Sequence, residues 1–173
     1  MDSQIIKFIN STSIRKCIEG LGSTISHDYQ KKDLTIVCLL DGSLVFTANL
    51  LLQIKIPVNL FSIKVSSYNG TSSSGTLKYN VKDLSFCKDK DILLIDDILD
   101  SGLTLSTITK DLQECGAKSV RTCVLLYKQI HREITIKPDY KGFDIENEFV
   151  VGFGMDYNGL YRNLPYIGIL SDK

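Results

Sequence analysis

Three carboxylates, two hydroxyls and a glycine fall within one short run, Asp96-Asp97-Ile98-Leu99-Asp100-Ser101-Gly102-Leu103-Thr104. Adjacent Asp96 and Asp97 bring two like charges together, which is unfavourable unless a cation, water or a polyol satisfies them. The Ser-Gly-Leu-Thr that follows offers backbone N–H groups, hydroxyls and the start of a helix, a combination suited to phosphate. A ligand with a sugar diol at one end and a phosphate at the other would satisfy both halves. A single Asp at a strand end commonly just faces water, so the complete pattern carries the chemistry and no one residue does.

The elements around this run must hold it at a sheet edge. Asp91–Ile95 is a short apolar run that reads as a buried strand, and Thr104–Cys115 as the helix after it, with Gly116 placed to cap its end. Ile14, Ile18, Leu21 and Ile25 recur at helical spacing, which predicts an amphipathic helix from Ser13 to about Tyr29. Thr35–Leu40 suits a central strand, broken by Asp41-Gly42-Ser43, and Leu44–Leu52 has the apolar density of a buried helix. Phe61, Ile63 and Val65 alternate with polar residues, so Val58–Val65 reads as a strand. Further strands are expected at Leu77–Val81, Val120–Leu126, Phe149–Phe153 and Ile167–Leu170. Strands alternating with helices argue for an α/β fold whose parallel sheet is covered on both faces. Between Ser66 and Thr76 lie five serines, two glycines and two threonines with no apolar anchor except Tyr68. That composition predicts a mobile loop.

Size and charge narrow the function. At 173 residues the chain is expected to be one domain with a sufficient core. Twenty basic and 20 acidic residues balance, leaving no electrostatic footprint for nucleic acid or a charged membrane. Cys17, Cys38, Cys87, Cys115 and Cys123 form neither a CxxC pair nor a metal spacing and read as thiols of a reducing compartment. No apolar stretch approaches the roughly 18 residues that span a bilayer, and no secretory apolar core precedes the first helix. A soluble cytoplasmic protein is expected.

The Asp96–Thr104 run, with its preceding apolar strand, closely resembles the phosphoribosyl-diphosphate (PRPP) signature of type I phosphoribosyltransferases, and an acid at the position of Asp100 is typical of the 6-oxopurine branch. Four further stretches carry a whole-chain resemblance to the hypoxanthine(-guanine) phosphoribosyltransferase family. They are Leu39-Leu40-Asp41-Gly42-Ser43 (its pyrophosphate loop), Ser66-Ser67-Tyr68 (the start of its flexible catalytic loop), Leu125-Leu126-Tyr127-Lys128 with His131-Arg132 (its base-recognition segment), and Phe149 to Tyr157 ending at Arg162 (its hood). The resemblance implies the type I fold: a parallel five-stranded sheet flanked by helices, a small hood and a flexible catalytic loop. The core would span about 13–140, the hood the N-terminal segment and about 141–173, and the loop 66–76.

It also implies an activity, purine salvage: PRPP and hypoxanthine or guanine give IMP or GMP and pyrophosphate, with Mg2+ required. Asp100 would be the general base at purine N7. Asp96 and Asp97 would meet the ribose hydroxyls and hold a Mg2+ complex near the site, and Asp156 would help coordinate a second magnesium bound to pyrophosphate. Ile98, Leu99, Ser101, Gly102, Leu103 and Thr104 would wrap the 5′-phosphate. Lys128 would donate to the purine O6, Phe149 would stack on the ring, and the Val150 backbone would read the base edge. Asp41 and Gly42 would line the pyrophosphate site, and Arg132 and Arg162 would contact pyrophosphate or support its loop. Ser67 and Tyr68 would close over the reaction centre. A homodimer or homotetramer is implied, with no nucleic-acid or membrane partner.

Two departures from the family pattern stand out. Asp41 occupies a position where the family commonly has Lys or Arg, next to a non-proline cis peptide expected between Leu40 and Asp41; an acid there would weaken PRPP affinity, pair with a nearby basic residue or change subunit contacts. Asp96 stands where Glu is more frequent. Two rival readings are a xanthine-preferring enzyme of the same fold and a non-catalytic regulator that senses nucleotides and binds RNA. Neutral charge and the presence of Asp100 speak against the regulator.

Overall fold

The structure is a computed structural model, and it describes residues 4–66, 78–79, 84–132, 134 and 136–171. Ser67 and Tyr68, and the remainder of the predicted loop to residue 76, lie outside the described residues.

The strands in chain order are β1 (Gln4–Ile9), β2 (Leu34–Leu40), β3 (Asn59–Ser66), β4 (Lys78–Tyr79), β5 (Asp91–Leu99), β6 (Ser119–Lys128), β7 (Tyr140–Ile145), β8 (Val150–Val151) and β9 (Ile167–Ser171), with helices α1 (Ser11–Asp28), α2 (Leu44–Leu51) and α3 (Leu103–Glu114). The main sheet has the order β4-β3-β2-β5-β6-β7. Its five central and right-hand members, β3, β2, β5, β6 and β7, are parallel, and the two-residue β4 adds an antiparallel edge. β1, β9 and β8 form a separate antiparallel sheet that joins the two ends of the chain.

Two apolar layers flank the main sheet. On one face Ile14, Ile18 and Ile25 of α1 and Phe46 and Leu50 of α2 pack over Ile36, Leu93, Ile95 and Leu125. On the other, Leu105, Ile108 and Leu112 of α3 cover Val37, Leu39, Ile92, Leu94 and Val124. Alternate residues of β5 thus feed opposite layers, which is why its sequence is apolar on consecutive positions. The α1 helix begins two residues before the expected Ser13, because Asn10 caps it by accepting a hydrogen bond from the Ser13 N–H at 2.9 Å.

Several expectations are corrected. β5 does not stop at Ile95. It stays paired with β6 through Asp96↔Val124, Ile98↔Leu126 and Leu99↔Tyr127, so both acids lie within the strand. β6 likewise continues to Lys128. The expected strand Phe149–Phe153 shortens to Val150–Val151, since Gly152, Phe153 and Gly154 all adopt positive φ and fold the chain back on itself. β1 and β7 were not anticipated, and β7 carries the main sheet past the boundary expected near residue 140. Among the described residues no helix is long and apolar enough to cross a membrane.

Candidate active site

The strand order places the crevice. The connection after β2 leads to β3 on one side and that after β5 leads to β6 on the other, so the chain reverses direction between them. Ligands of open parallel sheets lie outside the carboxyl ends of the strands at such a switch point. The last pair between β2 and β5 is Cys38↔Ile95, and beyond it the two strands part. Leu40-Asp41-Gly42 emerges on one lip and Asp96 to Ser101 on the other.

The lips touch through a glycine. A Cβ on Gly42 would strike the Asp97 carboxylate, and a Cβ on Gly154 would strike the Gly42 carbonyl oxygen. The β2–α2 turn, the end of β5 and the turn after β8 therefore converge at one point. The Leu40–Asp41 peptide bond is cis, as the resemblance implies. Of the three consequences weighed for Asp41, pairing is the one seen: its Oδ2 lies 3.7 Å from Lys64 Nζ on β3. In the parallel register Lys64 stands beside Leu40, which is what brings the two charges together.

Asp96 and Asp97 are half-buried at the floor of the crevice, where the Asp97 N–H donates to Asp96 Oδ1 at 3.1 Å. Loss of water, and then the neighbouring Asp97 charge, push the Asp96 carboxyl well above the ordinary carboxylate range. Burial also raises Asp97, opposed by hydrogen bonds to its charged form and by the Arg162 guanidinium. Such a pair is relieved by a cation or by hydroxyl donors. No group of three metal-ligating side chains gathers among the described residues, so Asp156 joins none. Asp156 instead accepts from the Gly159 N–H at 2.7 Å and pairs with Arg162 Nη2 at 2.8 Å. A magnesium ion that keeps its waters and substrate oxygens needs only one or two protein carboxylates, so this donor set fits an ion carried in with a phosphorylated substrate.

Next along β5 lies a small cavity of about 70 Å3 lined by Asp96, Ile98, Leu99, Asp100, Ser101, Gly102, Thr104 and Leu105. Gly102 caps α3 at φ 84° and, having no side chain, makes no side-chain hydrogen bond to the helix's free N–H groups. The Ser101 hydroxyl accepts from the Leu103 N–H at 3.3 Å, bracing the turn. Uncapped N–H groups at a helix start, hydroxyls on either side and a left-handed glycine make an anion cradle.

A second cavity, about 190 Å3, adjoins it and is lined by Asp97, Ile98, Asp100, Lys128, Glu148, Phe149, Val150, Met155 and Asp156. Lys128 is buried, yet its Nζ reaches Asp100 Oδ2 at 2.9 Å. Phe149 is not core: it is 52% exposed and meets the Tyr157 ring edge-on at a centroid distance of 5.7 Å. Val150 forms the wall, paired with Ile169. A flat ring lying on Phe149 would find a buried ammonium and a carboxylate at its edge.

Most of the expected site residues therefore assemble. Arg162 does so from the far end of the chain, donating to the Gly154 carbonyl at 2.6 Å. Arg132 does not face the crevice, because its guanidinium is directed at backbone carbonyls behind the loop. Sequence reasoning missed Glu148 on the cavity wall, Lys64 beside Asp41, and Ile136, whose Cγ2 would lie 2.7 Å from a Cβ on Gly102. None of the three sits in a local pattern. Only the β2–β3 register would have pointed to Lys64.

Fold and site together define an α/β protein that holds a phosphorylated ligand at the carboxyl edge of a parallel sheet. Residues 9–158 match the family model described as phosphoribosyl transferase domain. The chain belongs to that family, on its hypoxanthine-guanine phosphoribosyltransferase branch. It is 42% identical over 167 residues to the hypoxanthine-guanine phosphoribosyltransferase of Staphylococcus aureus, covering 95% of this chain and 93% of that protein. It is also 42% identical to the bifunctional protein TilS/HprT of Listeria innocua, of whose length it spans 26%. Among solved structures, a hypoxanthine phosphoribosyltransferase from Staphylococcus aureus superposes with a TM-score of 0.89 at 39% identity, covering 95% of this chain and 90% of that one. One from Trypanosoma cruzi, in complex with the product IMP, gives 0.89 at 31% identity, covering 98% and 95%.

Proposed function

We propose that this protein transfers the 5-phosphoribosyl group of PRPP to N9 of hypoxanthine, and of guanine, releasing pyrophosphate and forming IMP or GMP in purine salvage. The observation that carries this reading is the Asp100–Lys128 pair, 2.9 Å apart, with Asp100 lining both the cradle and the larger cavity and Lys128 lining the larger one. The 5′-phosphate lies in the cradle of Asp100 to Thr104 and the ribose hydroxyls face Asp96 and Asp97. The purine rests on Phe149 with its six-membered ring toward Lys128. The C1′–O bond to pyrophosphate breaks as the C1′–N9 bond forms, and the N7 proton passes to Asp100. A carboxylate placed there also offsets the positive charge that develops on the sugar. General-base assistance of this kind contributes roughly 10²–10⁴-fold.

Lys128 donates to O6 of a 6-oxopurine. Adenine presents an amino group at that position, leaving a buried ammonium facing another donor, and a site built in this way discriminates strongly. Asp96 and Asp97 are the carboxylates that would hold a Mg2+ ion, which would supply charge neutralisation to the leaving pyrophosphate. Asp156, already paired with Arg162, keeps the hood arginine turned toward the Gly42 side of the crevice.

Assembly into a dimer or tetramer is part of the same reading. Leu44 of α2 and Leu60 and Phe61 of β3 are exposed around a cleft of about 270 Å3 that Leu40, Ala48 and Leu51 also line. An apolar surface of this sort suits a second copy of the chain. A cytoplasmic location accords with five free cysteines and a substrate found inside cells.

The test is a spectrophotometric assay of purified protein with PRPP, Mg2+ and each purine base in turn. Turnover with hypoxanthine or guanine is expected, and none with adenine. No turnover with any 6-oxopurine would overturn the reading.

A further inference from the structure

Each nitrogen of the Arg132 guanidinium donates to the protein's own backbone. Its Nε donates to the Asp100 carbonyl, Nη2 to the carbonyls of Leu99 (3.1 Å) and Lys128, and Nη1 to that of Ile130 (3.4 Å). The group also lies over the Tyr127 ring, 4.6 Å from its centroid. A planar fork with five N–H groups can bind several oxygens at fixed angles, which a lysine ammonium cannot.

The place of this fork gives it a function. The β5–β6 ladder ends at Leu99↔Tyr127. Asp100 and Lys128 are the next residues on each strand, beyond the last pair, and there the guanidinium takes over as the cross-link. The stem of the same side chain backs the phosphate cradle, since its Cδ would lie 3.9 Å from a Cβ on Gly102, with Ile136 beside it. One residue thus ties together the backbone of Asp100, the backbone of Lys128 and the rear of the cradle.

We infer that Arg132 is a positioning residue for phosphoribosyl transfer. It touches neither pyrophosphate nor base, and it holds the Asp100 carboxylate and Lys128 ammonium in register with each other and with the cradle. This inference rests on the proposed activity. Displacement of a reacting group by about 1 Å can cost about 10²-fold in rate, so the effect belongs in kcat.

Two variants test it, Arg132→Lys, which keeps the charge and loses the fork, and Arg132→Met, which keeps much of the stem alone. Steady-state kinetics with PRPP and hypoxanthine, calorimetric titration with pyrophosphate and Mg2+, and thermal melting are measured on each. The expected result is a fall in kcat of about 10²-fold in both variants, without rescue by lysine, while the PRPP KM and the pyrophosphate Kd move less than about three-fold. A rise of ten-fold or more in PRPP KM and pyrophosphate Kd with kcat retained, and recovery by lysine, would make Arg132 a pyrophosphate ligand and overturn the inference. A lower Tm with unchanged kcat per folded molecule would make it merely structural, and would overturn it equally. Wild-type protein inactive with every 6-oxopurine would remove the activity itself; active wild type with unimpaired variants would remove only the role of Arg132.

Discussion

Lys128 Nζ and Asp100 Oδ2 meet at 2.9 Å across the ends of two adjacent parallel strands, with the lysine side chain 10% exposed and the aspartate 53%. In the proposed reaction, base recognition and proton acceptance begin as one ion pair. A 6-oxopurine bound as proposed would present O6 to the ammonium and N7 to the carboxylate, so that a single ligand edge would satisfy both groups at once.

Asp100→Asn is expected to lower kcat by about 10²–10⁴-fold. The amide oxygen can still accept from Lys128, and the half-exposed side chain supports no core, so Tm and PRPP binding are expected to stay near wild type. Turnover close to wild type would remove Asp100 from the role of general base.

Lys128→Gln is expected to reduce the preference for hypoxanthine over adenine, expressed as a ratio of kcat/KM, by about 10²-fold or more. A glutamine amide can donate to O6 or accept from a 6-amino group, whereas the ammonium only donates. Competition assays with both bases read the ratio directly, and an unchanged ratio would contradict O6 recognition by this side chain.

Gly102→Ala meets two obstacles, a φ of 84° and the Ile136 methyl 2.7 Å from the new Cβ. The backbone conformation alone costs about 1–3 kcal/mol in a non-glycine residue. Urea denaturation is expected to register a loss of that order, and titration with PRPP a weaker cradle. Adding Ile136→Ala is expected to recover only part of the loss, since it removes the clash and leaves the dihedral. Full recovery would show that φ is unimportant here.

Asp28, at the end of α1, accepts from the Tyr140 hydroxyl at 2.7 Å and from Arg121 Nη1 at 3.3 Å. The Tyr140 hydrogen bond, then that of His27, hold its carboxyl below the ordinary range, with Arg121 adding a favourable charge. A folded-state carboxyl held low contributes stability that is present above its unfolded value, about 3.9, and is lost as pH falls through the folded value. Asp28→Asn is therefore expected to be less stable than wild type at neutral pH, with the gap closing as pH falls below about 4. Denaturation midpoints across that range check it, and a gap independent of pH would show that the charge is not what matters.

Much of the anion cradle could be read from the chain alone because its parts are contiguous. Asp96 to Thr104 need only a strand before them and a helix after them to become a binding turn, and both are declared by apolar spacing within a few residues. The same holds for α1, α2, α3 and the inner strands, whose buried positions follow one period each. β1 and β7 escaped notice because most of β1 is exposed and because Tyr140–Ile145 mixes glycine and charge with its apolar residues. Neither alternates clearly, and both are strands because of what they pair with.

What tertiary structure alone decided is every relationship between distant segments. Lys64 faces Asp41 because β2 and β3 run parallel in one particular register, and Gly154 must be small because a hood turn lies on the Gly42 carbonyl. Arg132, expected from the resemblance to contact pyrophosphate or support its loop, turns to carbonyls that come together only where the β5–β6 ladder ends. Local chemistry follows from the residue types in a short stretch of chain. Which groups share a cavity, and which arginine meets solvent or backbone, depends on long-range packing that no single stretch encodes.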